Sequence, residues 1–229
     1  MAGSAAQARR ILERKDLVDR LGFVVRKRLK LFFVDEAQLT SKEQRVLTWK
    51  APTTVSDLER PVGAATGITL VAAFGVKGLV AFDLVAGSFN TTRYLAFLQK
   101  LKCAVGHKHI GLFFDGSSVH KSAAAQVAIE QHSWVRLLNV AYAQQDNPAK
   151  YLLNDVKHTF RKELLHAASL RSEGRTEGRR DAETIAAKVL GEVRQQECQQ
   201  VILRCLGQMI AKYKIELGPH DLEAWFNAQ

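Results

Sequence analysis

Two aspartates that follow short apolar runs are the residues of this sequence best placed to do chemistry. Residues 31–34 precede Asp35, and residues 111–114 precede Asp115. A four-residue apolar run is typical of a strand buried on both faces, and open α/β sheets place their sites at the carboxyl ends of such strands. If the two strands are neighbours, the carboxylates repel unless a cation lies between them, and Mg²⁺ prefers oxygen ligands. The alternative is that each aspartate only caps a loop.

Strand and helix signals along the chain indicate how these aspartates are brought together. Apolar runs bounded by turn residues predict strands at 31–34, 68–74, 79–85, 111–114 and 134–140, and a short extra strand at 46–52. Helices are predicted after Asn90, over 118–131, from Asn147-Pro148 and over 182–214. This order predicts an α/β fold, a ribonuclease-H-like mixed five-stranded sheet with flanking helices and a C-terminal helical extension.

The composition favours an anionic partner and an intracellular setting. The 229 residues carry a net charge of +10 and a pI near 9.7, which points to nucleic acid or an anionic surface. Three cysteines without a CxxC pair argue against a disulfide framework or a zinc site, and favour a reducing compartment. The nucleus or cytoplasm is expected, with an organelle still open. No apolar run approaches the roughly 18 residues of a membrane span.

Five short motifs in a fixed order give residues 30–165 a resemblance to a known family. The motifs are Phe33-Val34-Asp35-Glu36, Thr48-Trp49-Lys50-Ala51-Pro52, Gly87-Ser88-Phe89-Asn90 with Phe97-Leu98, residues 114–121 (FDGSSVHK), and Asn147-Pro148 with Asn154-Asp155-Val156-Lys157. In this order they resemble the catalytic domain of the mariner-type transposases and their bacterial insertion-sequence relatives, in the DDE/D superfamily. The resemblance covers somewhat more than half of the chain.

The resemblance implies a site of three acids that hold two metal ions. The first two acids correspond to Asp35 and Asp115, where Mg²⁺ or Mn²⁺ would activate a water or a 3′-hydroxyl for attack on a DNA phosphodiester. The third acid of the family corresponds to Lys150, which has 34 residues between it and Asp115. A lysine there removes a ligand and adds a positive charge, and Asp146 is the candidate substitute acid. His120 matches a family position and is interpreted as site architecture.

Two basic groups suit a phosphate backbone bound through counterion release. One stripe on the predicted helix after Pro148 consists of Lys150, Asn154, Lys157 and Arg161, beside an apolar face at 153, 156, 160 and 164. A second group precedes the first strand and consists of Arg26, Lys27, Arg28 and Lys30. The alternative for both groups is an ordinary solvated face.

Two functions from different classes follow from these observations. The first is a transposase-derived domain that binds DNA or another nucleic acid, or serves as a subunit of a homodimer or larger assembly, and does not cut. The second is an active metal-dependent transposase domain that cleaves DNA and transfers strands with Asp35, Asp115 and a substitute acid. Lys150 favours the first function.

The predicted organisation has three parts. Residues 1–28 form an N-terminal helical and basic segment, residues 29–168 the ribonuclease-H-like core, and residues 169–229 a linker and C-terminal helical extension. Similar transposases carry helix-turn-helix domains ahead of the core, and residues 1–28 are too short for one. The chain is therefore expected to be a fragment, one reading frame of a split element, or a core put to another use.

Overall fold

Five strands and seven helices make up the part of the chain that the structure describes. The computed structural model describes residues 2–39, 67–106, 108–170 and 179–229. The strands are β1 Lys30–Leu39, β2 Ile68–Gly75, β3 Gly78–Ala86, β4 Ile110–Phe114 and β5 Val135–Leu138. The helices are α1 Ala2–Arg26, α2 Thr91–Val105, α3 Ala123–Gln131, α4 Pro148–Leu170, α5 Arg179–Gly191, α6 Gln195–Tyr213 and α7 Asp221–Asn227.

The five strands form one mixed sheet in the order β3-β2-β1-β4-β5. β1 pairs antiparallel with β2 and parallel with β4, and β4 pairs parallel with β5. The β2–β3 hairpin closes at Gly75 and Gly78, where the prediction placed its turn. The predicted ribonuclease-H-like sheet is confirmed, and the strands that lead to Asp35 and Asp115 are parallel neighbours.

β1 is longer than the apolar run that predicted it. Its pairing with β4 ends at Phe33 opposite Phe113, but its pairing with β2 continues to Leu39 opposite Ile68. Asp35 therefore lies inside a strand, and the expectation that it follows the strand's end is wrong. Because only β2 continues to pair there, Asp35 still lies at the carboxyl edge on the β4 side.

Helices cover both faces of the sheet. On one face, α1, α4 and α6 pack against the sheet in a single hydrophobic cluster that includes Leu21, Phe33 and Leu206. On the other face, α2 and α3 bury Phe114 and Trp134 in a second cluster. The predicted apolar stripe of α2 is buried, and the Asn90 side chain accepts a hydrogen bond from the Arg93 N–H at 3.0 Å, which caps the helix.

Three predicted elements have different bounds in the structure. The single helix expected over 182–214 is two helices, α5 and α6, because α5 ends at Gly191 and the break at 192–194 contains the β-branched Val193, both weak helix formers. The helix expected from residue 118 begins at Ala123, after a turn that positions His120. β5 covers only 135–138 of the expected 134–140.

Some predictions fall on residues that the structure does not describe. The short strand at 46–52 and its Trp49 motif lie outside the described residues, as does most of the predicted linker. α1 and α6 share one cluster with the sheet, and the three-part organisation stays a prediction. Among the described helices, none combines the length and apolar character needed to cross a bilayer.

Candidate active site

Asp35 is a carboxylate with an unfavourable environment for its charge. Its Oδ1 accepts a hydrogen bond from the Glu36 N–H at 2.9 Å, which favours the ionised form. Burial and the neighbouring charge of Glu36 outweigh that bond and raise the pKa of Asp35 to about 7. Near neutral pH, Asp35 is therefore part protonated.

Asp115 follows β4 directly and has the opposite electrostatic character. Phe113 of β4 pairs with Phe33 of β1, so Asp115, two residues further on, lies level with Asp35. Neighbouring strands are about 4.8 Å apart. Burial alone would raise its pKa, but its Oδ1 accepts hydrogen bonds from His120 Nδ1 at 2.8 Å and from the Ser117 N–H at 3.0 Å. These bonds outweigh burial and lower the pKa of Asp115.

His120 lies between two carboxylates and is fully buried. Its Nδ1 donates to Asp115, and its Nε2 donates to Glu36 Oε1 at 2.6 Å. Its ring also packs against Tyr94 and Phe114 at centroid distances of 4.7 and 5.1 Å. Burial alone would lower the pKa of His120, but the two carboxylates outweigh it and raise the pKa to about 9. At neutral pH, His120 is therefore an imidazolium that neutralises part of the site.

Glu36 is the site residue to which sequence reasoning gave no role. Glu36 directly follows Asp35, and an apolar run marks only the first acid after it. Side chains alternate across a strand, so Glu36 points to the face opposite Asp35, the face that α2 and α3 cover. An acid on that face next to buried aromatic residues needs a cationic partner, and His120 was a candidate from the sequence.

The third acid position is held next to β1 by Asn147. The Asn147 Nδ2 donates to the Val34 carbonyl oxygen at 3.0 Å, and its Oδ1 accepts from the Ala149 N–H at 3.1 Å. The first turn of α4, which carries Lys150, therefore begins beside the residue before Asp35. The Lys150 ammonium donates to Gln144 Oε1.

Asp146 is occupied by α6. Both of its carboxylate oxygens accept from Lys212 Nζ at 2.9 Å, and Oδ2 also accepts from the Tyr213 hydroxyl. The Asp146 residue is only 5% exposed. The candidate substitute acid is thus directed to α6, and the structure does not bring it together with Asp35 and Asp115.

The donor set does not fit the two metal ions that the resemblance implies. Asp115 Oδ1 is taken by His120 and Ser117, Asp146 is taken by Lys212, and position 150 is a lysine. Within the described ranges, no group of three His, Cys, Asp or Glu residues is arranged to hold a metal ion. The remaining carboxylates, Asp35 and Asp115, supply too few oxygen ligands for a pair of hard cations, and the His120 imidazolium lies beside them.

The two predicted basic groups lie in different places. On α4, residues 153, 156, 160 and 164 are buried, so Lys150, Asn154, Lys157 and Arg161 lie on the less buried side of that helix, as its periodicity predicted. Arg26, Lys27, Arg28 and Lys30 join the end of α1 to the start of β1. They lie at the amino edge of the parallel strands, opposite the acids, so the structure does not bring them to the site.

Comparisons with known proteins agree with this fold. The Mos1 transposase paired-end complex with left transposon end is similar at a TM-score of 0.64 and 15% identity, over 95% of this chain and 62% of that one. The Mos1 mariner paired-end complex with Mn has a TM-score of 0.62 and 15% identity, over 95% and 62%. The catalytic domain of Mos1 mariner transposase is similar at a TM-score of 0.55 and 15% identity, over 92% of this chain and 94% of that one.

The chain spans a little under two thirds of the length of the transposase chains in the paired-end complexes. No curated protein matches the sequence. At 15% identity the solved structures show the fold, that of the mariner transposase catalytic domain. The family is shown by sequence, because the profile of the DDE superfamily endonucleases matches residues 30–171, more than half of the chain. The chain belongs to the DDE superfamily endonucleases.

Proposed function

We propose that this chain is a transposase-derived DDE-type domain that binds nucleic acid and does not cleave it. The observation that carries the proposal is the lysine at position 150, on a helix turn that Asn147 ties to β1 beside Asp35. A lysine there supplies no oxygen ligand. A unit charge about 4 Å from another like charge costs on the order of 4 kcal/mol at an effective dielectric of 20, so it also opposes cation binding.

The neighbouring acids support the same conclusion. Asp146 would have to leave Lys212 and Tyr213 to replace the missing ligand, which would leave an ammonium and a buried hydroxyl without their partner. Asp115 already has a cation beside it, the His120 imidazolium. If this domain were active, it would use Mg²⁺ or Mn²⁺, and one of the similar Mos1 complexes contains Mn.

Nucleic-acid binding is proposed from charge and from the family. A net charge of +10 favours a polyanionic partner, and the stripe of α4 presents Lys150, Lys157 and Arg161 on one side of the helix. A similar Mos1 structure is a paired-end complex with a transposon end. We therefore propose DNA or another nucleic acid as the partner, with a homodimer or larger assembly as the working form.

The proposal is tested by metal titration and a nicking assay on the same protein. The wild-type chain should bind Mg²⁺ or Mn²⁺ weakly in calorimetry and should not nick supercoiled plasmid. Lys150→Glu should bind the ions more tightly, because a carboxylate replaces an ammonium, and Lys150→Gln is the control that removes only the charge. Metal-dependent nicking by the wild type that Asp146→Ala abolishes would contradict the proposal and establish the active alternative.

A further inference from the structure

We propose that the edge of the sheet opposite the acids is a second phosphate-binding surface, which holds a nucleic-acid segment other than the one proposed at Lys150. The proposal rests on the nucleic-acid binding proposed above and adds a separate location to it. We call this surface the basic edge, and it consists of Lys27, Arg28, Lys30, Lys77 and Lys108.

The topology of the sheet brings these residues together from three separate loops. Lys30 begins β1 and pairs in register with Ile110, two residues after Lys108. Lys77 lies in the turn that joins β2 to β3. Because β1 is parallel to β4 and antiparallel to β2, all three loops meet at one edge. Neighbouring strands are about 4.8 Å apart, so Lys77, Lys30 and Lys108 span about 10 Å across three strands.

The charges of the basic edge have no acidic partners inside the described ranges. Lys27, Arg28, Lys77 and Lys108 are exposed, Lys30 is half-buried, and none of the five forms an ion pair with a described residue. After burial, the charges of Lys108 and Lys77 also lower the pKa of Lys30. The repulsion between like charges this close falls when an external anion binds between them.

The backbone conformation of Arg28 is a second observation that bears on the basic edge. Its φ is 53°, in the left-handed region, where it ends α1 with the Leu29 N–H donating to the Val24 carbonyl oxygen at 3.0 Å. Glycine is the usual residue at this position of a helix end, because a side chain there is strained. The negative end of the α1 dipole explains a cation at Lys27 or Arg28, but not the lysines at 77 and 108 on other loops.

The chemistry of the edge fits a nucleic-acid backbone. Phosphates recur about every 3.4 Å along one strand of a duplex, so about 10 Å of edge can meet roughly three of them. Lysine ammonium groups are point charges that bind phosphates without reading bases, so binding should not depend on sequence. Asp35 lies five residues from Lys30 along β1, about 16 Å away at the other end of the sheet, so the two surfaces can hold different segments.

The test compares two variants that each lose two positive charges. Lys77→Gln with Lys108→Gln removes charges at the basic edge. Lys15→Gln with Lys214→Gln removes two exposed charges that are not part of the basic edge, because Lys15 lies on α1 and Lys214 ends α6. Each protein is mixed with two short duplexes that carry a donor and an acceptor dye. Binding is measured as a function of salt, and bridging of the duplexes by energy transfer.

The wild type should bind and bridge the duplexes. The basic-edge variant should lose bridging, and its salt slope should fall by up to about two, because each phosphate contact contributes about 0.9. The control variant should keep bridging. If the basic-edge variant bridges the duplexes and has the same salt slope as the wild type, this inference is overturned and the proposed function still stands. A wild type that binds no duplex would overturn both.

A second pair of variants separates charge from folding. Arg28→Gly removes a charge at a left-handed helix end, and Lys214→Gly makes the same change at the end of α6, where φ is 51°. Both changes should preserve or raise the Tm, but only Arg28→Gly should weaken duplex binding. Equal affinity in the two glycine variants would remove Arg28 from the proposed surface.

Discussion

At the carboxyl edge of β1, Glu36, Asp115 and Asp146 each have a cationic partner within the molecule, whereas at the amino edge Lys27, Lys77 and Lys108 form no ion pair with a described residue. His120 bridges two of the acids, and Lys212 with Tyr213 holds the third. Removing one partner of a paired, buried charge destabilises the fold, because the other charge is left buried alone. Unpaired, exposed charges contribute little to stability and respond to external ions. Substitutions at the two edges should therefore affect different measurements.

The largest effect is expected at His120. His120→Ala leaves Glu36 and Asp115 in a largely buried site without their cation, which should lower the free energy of unfolding by about 3 kcal/mol at pH 6. The pKa of His120 is raised to about 9 from an ordinary 6.5, so its contribution is complete below pH 6.5 and is lost as the pH rises through 9. The difference from wild type should therefore shrink between pH 6.5 and 10. Urea unfolding checks this, with His158→Ala on the exposed side of α4 as control.

The next effect tests the attachment of α6. Tyr213→Phe removes the hydroxyl that donates to Asp146 but keeps the buried ring. A hydrogen bond to a charged group contributes about 2 kcal/mol, so the free energy of unfolding should fall by about that amount. The urea midpoint should decrease accordingly. Tyr142→Phe is the matched control, because Tyr142 is 85% exposed. Equal midpoints for the two variants would mean that Lys212 alone satisfies Asp146.

A smaller effect of the opposite sign is expected at Asp35. Its pKa is raised from 3.8 to about 7, so the folded state holds the proton more tightly and stability falls as the pH rises from 4 to 7. Asp35→Asn removes this penalty. The variant should be more stable than wild type at pH 8 by about 1.4 kcal/mol or more, the equivalent of one pKa unit, and its pH profile between 4 and 7 should be flatter. Asp19→Asn, at an exposed position of α1, is the matched control.

The smallest effect on stability belongs to the basic edge. Arg28→Gly should raise the free energy of unfolding by about 1 kcal/mol, because glycine adopts the left-handed conformation without steric cost. Thermal unfolding at two salt concentrations measures it. A loss of stability in low salt only would show that the attraction between Arg28 and the negative end of the α1 dipole exceeds the steric gain from glycine.

The topology was predictable because it depends on local patterns. The apolar runs before Asp35 and Asp115, the glycines of the β2–β3 turn and the stripe of α2 each specify an element without reference to distant residues. The extent of β1 was not predictable in this way. Three of residues 35–38 are polar, and the segment is a strand because β2 supplies its hydrogen-bond partners from a distant part of the chain.

The same limit applies to the site. Asp35 and Asp115 could be named from the apolar runs that precede them, and position 150 from its spacing to Asp115. The pairing of Asp146 with Lys212 joins residues 66 positions apart, and that of Glu36 with His120 joins residues 84 positions apart. No periodicity in one segment reports such contacts. They follow from how α6 and the turn after β4 pack on the sheet.

The hydrogen bond from Asn147 to the Val34 carbonyl oxygen has an evolutionary consequence. It depends on the backbone of β1 and on the asparagine, and not on the side chain three residues further on. The identity of residue 150 can therefore change without moving the helix turn that presents it. Codons for lysine and glutamate differ at a single nucleotide, so one point mutation places a carboxylate on that turn. Descendants of this sequence have a short mutational path in either direction between a lysine and an acid at position 150.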